Sequence, residues 1–104
     1  MRRIKLTVAY DGTDYCGWQI QPNGITVEEV LNKALSDLTK ETVKVIGASR
    51  TDAGVHARGN VAVFDTKSPI PPERIAYAVN ALLPDDIVVM RSEEVGCDWH
   101  PRYQ

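Results

Sequence analysis

The sequence predicts an α+β fold in which four strands form one antiparallel sheet and two helices cover one face of that sheet. Three observations favour this fold: the chain opens on an alternating strand pattern, two segments with helical spacing follow strands, and a polar segment separates the two middle strands. With 104 residues, 43% of them hydrophobic, the chain can form one domain with one modest core.

The first half of the chain predicts a strand, a long loop and a helix. Strand one is predicted at 4–10, where apolar residues occupy every second position, as in a strand with one buried face. Residues 11–24 are dense in Asp, Gly, Pro and Asn, which is typical of a loop. Helix one is predicted at 27–39, because Thr26 and Glu29 form a capping box and the following apolar residues recur at helical spacing.

The second half predicts two strands, a helix and a last strand. Strand two, at 42–48, and strand three, at 60–66, are rich in β-branched residues. Helix two is predicted at 72–83, because prolines precede an apolar-periodic segment and Pro84 ends it. Strand four follows at 86–95. The order βαββαβ predicts the ferredoxin-like arrangement, with both helices on one face of the sheet.

Composition and cysteine spacing exclude several classes of protein. No apolar run approaches the roughly 20 residues that a membrane-spanning helix needs, and the chain does not open on the apolar block of a signal peptide. We therefore expect a soluble, cytoplasmic protein without a membrane partner. Cys16 and Cys97 lack the spacing of a zinc site and are expected to be reduced thiols, and His56 and His100 are too isolated to suggest a metal site.

The charge distribution leaves nucleic-acid binding open. A net charge of −2 argues mildly against it, because proteins that bind phosphate backbones usually carry a basic surplus. However, Arg50, His56 and Arg58 lie close together in the sequence. A local positive field at that segment is therefore compatible with an acidic total.

The segment "GASRTDAGVHARG", residues 47–59, is long for a connection between two strands and contains the candidate chemistry. In a structural interpretation, Asp52 and its polar neighbours hydrogen-bond the backbone of their own turn. In a functional one, Asp52 is a nucleophile or general base that Arg50, Arg58 and His56 hold ionised, because nearby positive charge lowers the pKa of a carboxyl group. The residues alone leave both interpretations open.

Longer motifs resemble one family along nearly the whole chain. "GASRTDAGVHARGNVAVFDT" resembles the signature of the tRNA pseudouridine synthase A (TruA) family, which is close to "GRTDAGVHA.GQV..F.T". "VAYDGTDYCGWQIQPNGITVEEVL", "AVNALLPDDI" and "CDWHPRY" resemble further motifs of that family, in the same order along the chain. The ordered set is far more specific than any one of its motifs.

The resemblance implies an isomerase that converts uridines at positions 38 to 40 in the anticodon stem-loop of tRNA to pseudouridine, with no cofactor and no metal. It places the catalytic aspartate of "RTDAG" at Asp52. Whether this carboxylate attacks the ribose carbon or assists removal of a ribose proton stays open. Arg50 is expected either to brace the gap left by a base turned out of its stem or to orient Asp52.

Three further residues are candidates for RNA binding. Arg58 and His56 are expected to contact phosphates or to support the loop, and Gln19, in the other matched loop, is a candidate RNA contact. Trp18 lies beside Gln19, but an indole in a glycine-rich loop is more typical of packing than of stacking on a nucleotide.

The matched motifs cover only part of a family member. Family chains continue through an "RRYRY"-like segment, whose tyrosine packs on the target base, into a second domain of similar fold. Residues 1–104 are therefore expected to be a truncated N-terminal catalytic domain that lacks the C-terminal domain and is inactive alone. The full-length protein is expected to be a homodimer.

The alternative function is a stand-alone RNA-binding module, because RNA-recognition domains share the βαββαβ order. Such modules stack bases on aromatic residues of their two central strands. Here those strands contain only Tyr10 and Phe64, without the basic-aromatic consensus.

Overall fold

Helices and strands follow one another in the predicted order. The computed structural model describes residues 1–22, 24–47 and 56–101, with the backbone alone at 57–58. The elements are β1 (Arg2–Tyr10), α1 (Val27–Thr39), β2 (Ile46–Gly47), β3 (Ala57–Thr66), α2 (Pro72–Asn80) and β4 (Ile87–Val95). A short 3₁₀ turn, Gly12–Asp14, follows β1.

The strands form one antiparallel sheet in the order β2-β3-β1-β4, which confirms the ferredoxin-like α+β prediction. β1 is central and pairs with both β3 and β4. Each of these two ladders is irregular at one place: the β1–β3 register shifts between Val8 and Tyr10, and the β1–β4 register shifts between Thr7 and Val8. Both irregularities lie near the C-terminal end of β1, and bulges of this kind are common next to functional sites.

The core lies between the sheet and the two helices. Every second residue of β1 contributes to it, and the helices add the apolar residues of their inner faces, among them Leu31, Leu35, Ile75 and Val79. Full burial of one such side chain contributes roughly 1.5–3 kcal/mol. The core packs on one face of β1, and neighbouring strands pair with both of its edges. The loop that follows Tyr10 therefore begins at a well-fixed position.

α1 spans the predicted residues, but strand two is shorter than predicted. β2 contains only Ile46 and Gly47, whereas the sequence predicted a strand at 42–48. The reason is that side chains of α1 take the backbone donors of this segment: Val43 N donates to Ser36 Oγ at 2.9 Å and Val45 N to Asn32 Oδ1 at 2.9 Å.

α2 begins at the predicted Pro72 but ends three residues early, at Asn80 rather than at 83. The side chain of Asn80 is bound to β4: its Nδ2 donates to Val89 O at 2.9 Å, and its Oδ1 accepts from Val89 N at 2.8 Å. This pair of hydrogen bonds fixes the end of the helix against the strand. Neither helix of the described part is long and apolar enough to cross a membrane.

Candidate active site

The structure describes some of the predicted site residues and not others. Arg50 and Asp52 lie outside the described residues, so their predicted roles stay predictions. Arg58 lies in β3, but its side chain is also outside the described part. His56 and Gln19 are described, and both are exposed. The site is therefore defined by the two segments that flank residues 48–55 and by what those segments contact.

The first part of the loop after β1 is attached to the start of β4. Asp11 N donates to Asp86 O at 2.9 Å, and the hydroxyl group of Tyr15 donates to Asp86 Oδ1 at 2.6 Å. Tyr15 is 8% exposed, and its burial, followed by the bond to Asp86, raises the pKa of its hydroxyl group well above the usual range. The tyrosine therefore stays neutral and remains a donor.

Asp11 organises the 3₁₀ turn that follows it. Its Oδ1 accepts from Thr13 Oγ1 at 2.6 Å and from Thr13 N at 3.0 Å. The bond from the hydroxyl group of Thr13 is the largest cause that lowers the pKa of this carboxyl group, followed by the bond from the backbone of Thr13. Asp11 is consequently ionised at neutral pH and fixes the direction of the backbone at Gly12.

The second part of the loop is bound to the beginning of α1. Val27 N donates to Gly17 O at 3.1 Å, and Glu28 N donates to Trp18 O at 3.0 Å. Gly17 has a φ of 88°, which a residue with a side chain adopts only with strain. These bonds use helix N–H groups that have no partner within the helix, and they fix Trp18 against the core.

Trp18 is a packing residue, as its sequence context predicted. It is 2% exposed, and its ring lies 5.9 Å from that of Tyr10, centroid to centroid, with an interplanar angle of 33°. The indole is therefore part of the core and is not presented to a nucleotide. Gln19, the next residue, is exposed.

The two matched loops meet at His56. Its Nδ1 accepts a hydrogen bond from Gly12 N at 2.9 Å and lies 3.1 Å from Asp11 Oδ1. One nitrogen cannot accept from Gly12 and donate to Asp11 at the same time. The bond from Gly12 is made by a neutral ring that carries its proton on Nε2.

Gly47, the last described residue before the gap, lies directly against Trp18. A Cβ atom at Gly47 would be 2.5 Å from Nε1 and 2.8 Å from Cε2 of the indole. Such distances are far inside van der Waals contact, so no side chain fits here unless the indole or the backbone moves. Glycine at position 47 thus permits the close approach of β2 to the loop after β1.

A cavity of about 360 Å³ opens beside these contacts, at the C-terminal end of β1. Its walls include the carboxylates of Asp11, Asp85 and Asp86, together with His56 and Tyr10. The described side chains therefore give this region an acidic character. The predicted local positive field depends on Arg50 and Arg58, whose side chains lie outside the described part. Among the described residues, no cluster of His, Cys, Asp or Glu could hold a metal ion.

The RNA-recognition alternative loses its candidate stacking residues. Tyr10 is 5% and Phe64 2% exposed, and both belong to the core between sheet and helices. Neither ring is available on the open face of the sheet, where a module of this type stacks bases.

Sequence reasoning missed two residues of this region. Asp86 holds the loop after β1 through both its backbone and its side chain, and Gly47 makes room for Trp18. Both lie inside motifs that the sequence analysis identified, "AVNALLPDDI" and "GASRTDAGVHARG". The motifs alone do not indicate which contacts these two residues make.

A family model and two known proteins that match this chain carry the name of one family. The sequence model of the family described as "tRNA pseudouridine synthase" matches residues 6–104. The chain is 60% identical over 103 residues to a tRNA pseudouridine synthase A of Ruminiclostridium cellulolyticum, covering 99% of this chain and 42% of that protein. It is 55% identical over 104 residues to the protein of that name from Acetivibrio thermocellus, covering 100% of this chain and 43% of that protein. The chain thus spans less than half the length of these relatives.

Proposed function

Because the chain belongs to the tRNA pseudouridine synthase family, we propose that it is the N-terminal catalytic part of a tRNA pseudouridine synthase with Asp52 as its catalytic carboxylate. The proposed substrate is the anticodon stem-loop of tRNA, at the uridines of positions 38 to 40. In this proposal residues 1–104 are a fragment, inactive without the remainder of the protein.

The meeting of the two matched loops at one end of the sheet is the observation that carries this proposal. The bond from Gly12 N to His56 Nδ1 joins "DGTDYCGWQ" to "RTDAGVHA". Asp52 precedes His56 by four residues, and four residues span at most about 14 Å. This short separation in sequence supports a role for Asp52 at the end of the sheet where His56 and Gly12 meet.

The proposed reaction balances without an added reactant. The bond between ribose C1′ and base N1 breaks, and a bond between C1′ and C5 of the same base forms. C5 loses a proton and N1 gains one, so the product is an isomer of the substrate. Asp52 either attacks the ribose carbon or removes a ribose proton, and both routes require a base turned out of its stem.

The remaining assignments follow from the same proposal. Arg50 braces the gap left by the target base or orients Asp52. Arg58 and Gln19 contact RNA, where an arginine suits phosphate groups through its planar donors. We place the intact protein in the cytoplasm, as a homodimer.

The experiment compares two tRNA transcripts incubated with the intact protein. One carries uridine at positions 38 to 40 and the other carries cytidine there, and pseudouridine is located by chemical labelling and mass spectrometry. We expect pseudouridine only in the first transcript. Its absence, or its formation at other positions only, would contradict the proposal. Residues 1–104 alone are expected to form none, and turnover near that of the intact protein would refute the fragment's inactivity.

A further inference from the structure

We infer that residues 11–18 hold Gly47 and His56, the described residues on either side of segment 48–55, and that Trp18, Gly47 and His56 are positioning residues for the reaction. The role of Asp52 in this inference rests on the proposed function. The contacts do not, because they join described residues only. Gly47 is the last described residue before segment 48–55 and His56 the first after it.

His56, which follows this segment, is held by a hydrogen bond. His56 Nδ1 accepts from Gly12 N at 2.9 Å, although the side chain of His56 is 62% exposed. A side chain so exposed adds little to the core, and the bond joins residues 44 positions apart. The main consequence of this bond is therefore to fix the position of His56, where the described chain resumes after segment 48–55. A phosphate contact, the other role expected for His56, would use Nε2, which the bond from Gly12 does not occupy, so the two roles are separated by experiment.

Gly47, which precedes this segment, is held by close packing. Gly47 pairs with Ala62 of β3 and lies on the indole of Trp18, so close that a Cβ atom would be 2.5 Å from Nε1. Since Trp18 is 2% exposed and fixed in the core, it cannot yield without disturbing Tyr10. The position of Gly47 is thus set by Trp18 on one side and by the sheet on the other.

Residues 11–18 are themselves held from two sides, which makes them a suitable support. Asp86 binds the backbone of Asp11 and the hydroxyl group of Tyr15. The beginning of α1 binds the carbonyl groups of Gly17 and Trp18. A displacement of Gly47 or His56 would therefore be a displacement relative to a fixed support. A misplacement of about 1 Å can cost about 10²-fold in rate.

The first test uses His56→Ala and His56→Asn in the intact protein. Asparagine places an acceptor where Nδ1 lies, whereas alanine removes it. We expect His56→Ala to lower the single-turnover rate of pseudouridine formation about ten- to a hundredfold. We expect the Kd for tRNA to stay within about twofold, because no RNA contact is removed. His56→Asn should restore most of the rate.

The same variants distinguish positioning from a phosphate contact. Loss of a phosphate contact raises Kd and reduces the slope of log Kd against log salt by about one. An unchanged rate in His56→Ala, or a loss confined to Kd with a smaller salt slope, would overturn the role inferred for His56.

The second test uses Gly47→Ala alone and combined with Trp18→Phe. The added methyl group collides with the indole, and a phenyl ring vacates part of that space. We expect Gly47→Ala to lower the single-turnover rate about tenfold or more. If the two substitutions acted independently, their fold-losses would multiply; we expect the double variant to lose less rate than that product. Independent effects would overturn the inferred contact. If Gly47→Ala does not fold, recovery of folding in the double variant supports the contact, and failure to recover contradicts it.

A third measurement separates this inference from the proposed function. Trypsin cleaves after arginine, and Arg50 lies between Gly47 and His56 in the sequence, so this assay needs no tRNA. We expect cleavage there to be about tenfold faster in His56→Ala than in the wild type, and close to the wild-type rate in His56→Asn. Equal cleavage in all three would contradict the inference. A wild-type protein that makes no pseudouridine would instead refute the proposed function alone.

Discussion

The two ends of the central strand β1 differ in strand register and in the contacts of their polar side chains. At the N-terminal end of β1, called the paired end below, Arg3 lies between Asp65 of β3 and Val95 of β4. At the C-terminal end of β1, called the loop end below, Tyr10 lies between Ala57 and Ile87. The ladders are regular at the paired end and shift register near the loop end.

Polar groups at the paired end satisfy one another. Arg3 binds Asp65 through two bonds of 2.8 and 3.0 Å and also donates to Trp99 O at 2.8 Å. Glu41 accepts from the hydroxyl group of Thr66 and from Lys67 N. Polar groups at the loop end attach the loop after β1 to its neighbours: Gly12 N donates to His56, and the hydroxyl group of Tyr15 donates to Asp86. The polar contacts at the paired end therefore join β1 to β3 and to the segments beside them, whereas those at the loop end attach the loop after β1 to β4 and to His56.

The largest stability difference is expected between the two tryptophans. Trp18→Ala at the loop end should lower the free energy of unfolding by about 3–5 kcal/mol, because it empties a buried site. Trp99, at the paired end, is half-buried and lies 5.2 Å from Lys5 Nζ, so Trp99→Ala should cost about 1 kcal/mol or less. Urea denaturation of both variants measures the difference, and equal costs would contradict the assignment of Trp18 to the core.

A smaller difference is expected between two tyrosines. Tyr15→Phe removes the bond to Asp86 and should cost about 1 kcal/mol of stability, with a several-fold lower single-turnover rate because the loop after β1 loosens. Tyr77→Phe is the control, since Tyr77 is 89% exposed on α2 and should change neither quantity. If the two variants behave alike in denaturation and turnover, the bond to Asp86 does not support the loop.

The smallest effect is expected from acid at the paired end. Bonds from Arg3 lower the pKa of Asp65, and bonds from Thr66 and Lys67 lower the pKa of Glu41. Each carboxylate therefore contributes stability at neutral pH that is lost as pH falls below about 4 and through its lowered pKa. Because both groups are partly exposed, the loss should be small. Melting temperatures from pH 7 to pH 3 should fall less steeply in Asp65→Asn than in the wild type, and parallel curves would refute the contribution of Asp65.

Local sequence signals predicted the elements whose ends are set locally. Thr26 accepts a hydrogen bond from Glu29 N at 3.3 Å, and α1 begins and ends where this cap and the apolar spacing placed it. The end of α2 and the length of β2 depend on Asn80 and Asn32, whose partners lie on other elements. A side chain that bonds a distant backbone leaves no periodic signal in the sequence.

The same distinction applies to the candidate site. Motifs identified both loops and named His56, but the contact with Gly12 joins residues 44 positions apart and appears only in the folded chain. The tight approach of Gly47 to Trp18 is likewise a property of packing. The roles of Asp52 and Arg50 rest on motif resemblance and stay predictions.

The proposed catalytic role of Asp52 is tested by one matched pair of variants. Single-turnover pseudouridine formation, tRNA affinity and melting temperature are measured for Asp52→Asn and Asp65→Asn in the intact protein. Asparagine matches the size of the carboxylate but cannot act as a nucleophile or base. We expect Asp52→Asn to slow the reaction by about 10²- to 10⁴-fold or more, with affinity within about tenfold and folding intact, while Asp65→Asn keeps the wild-type rate. A wild-type rate in Asp52→Asn, with folding and binding intact, would show that Asp52 is not the catalytic carboxylate.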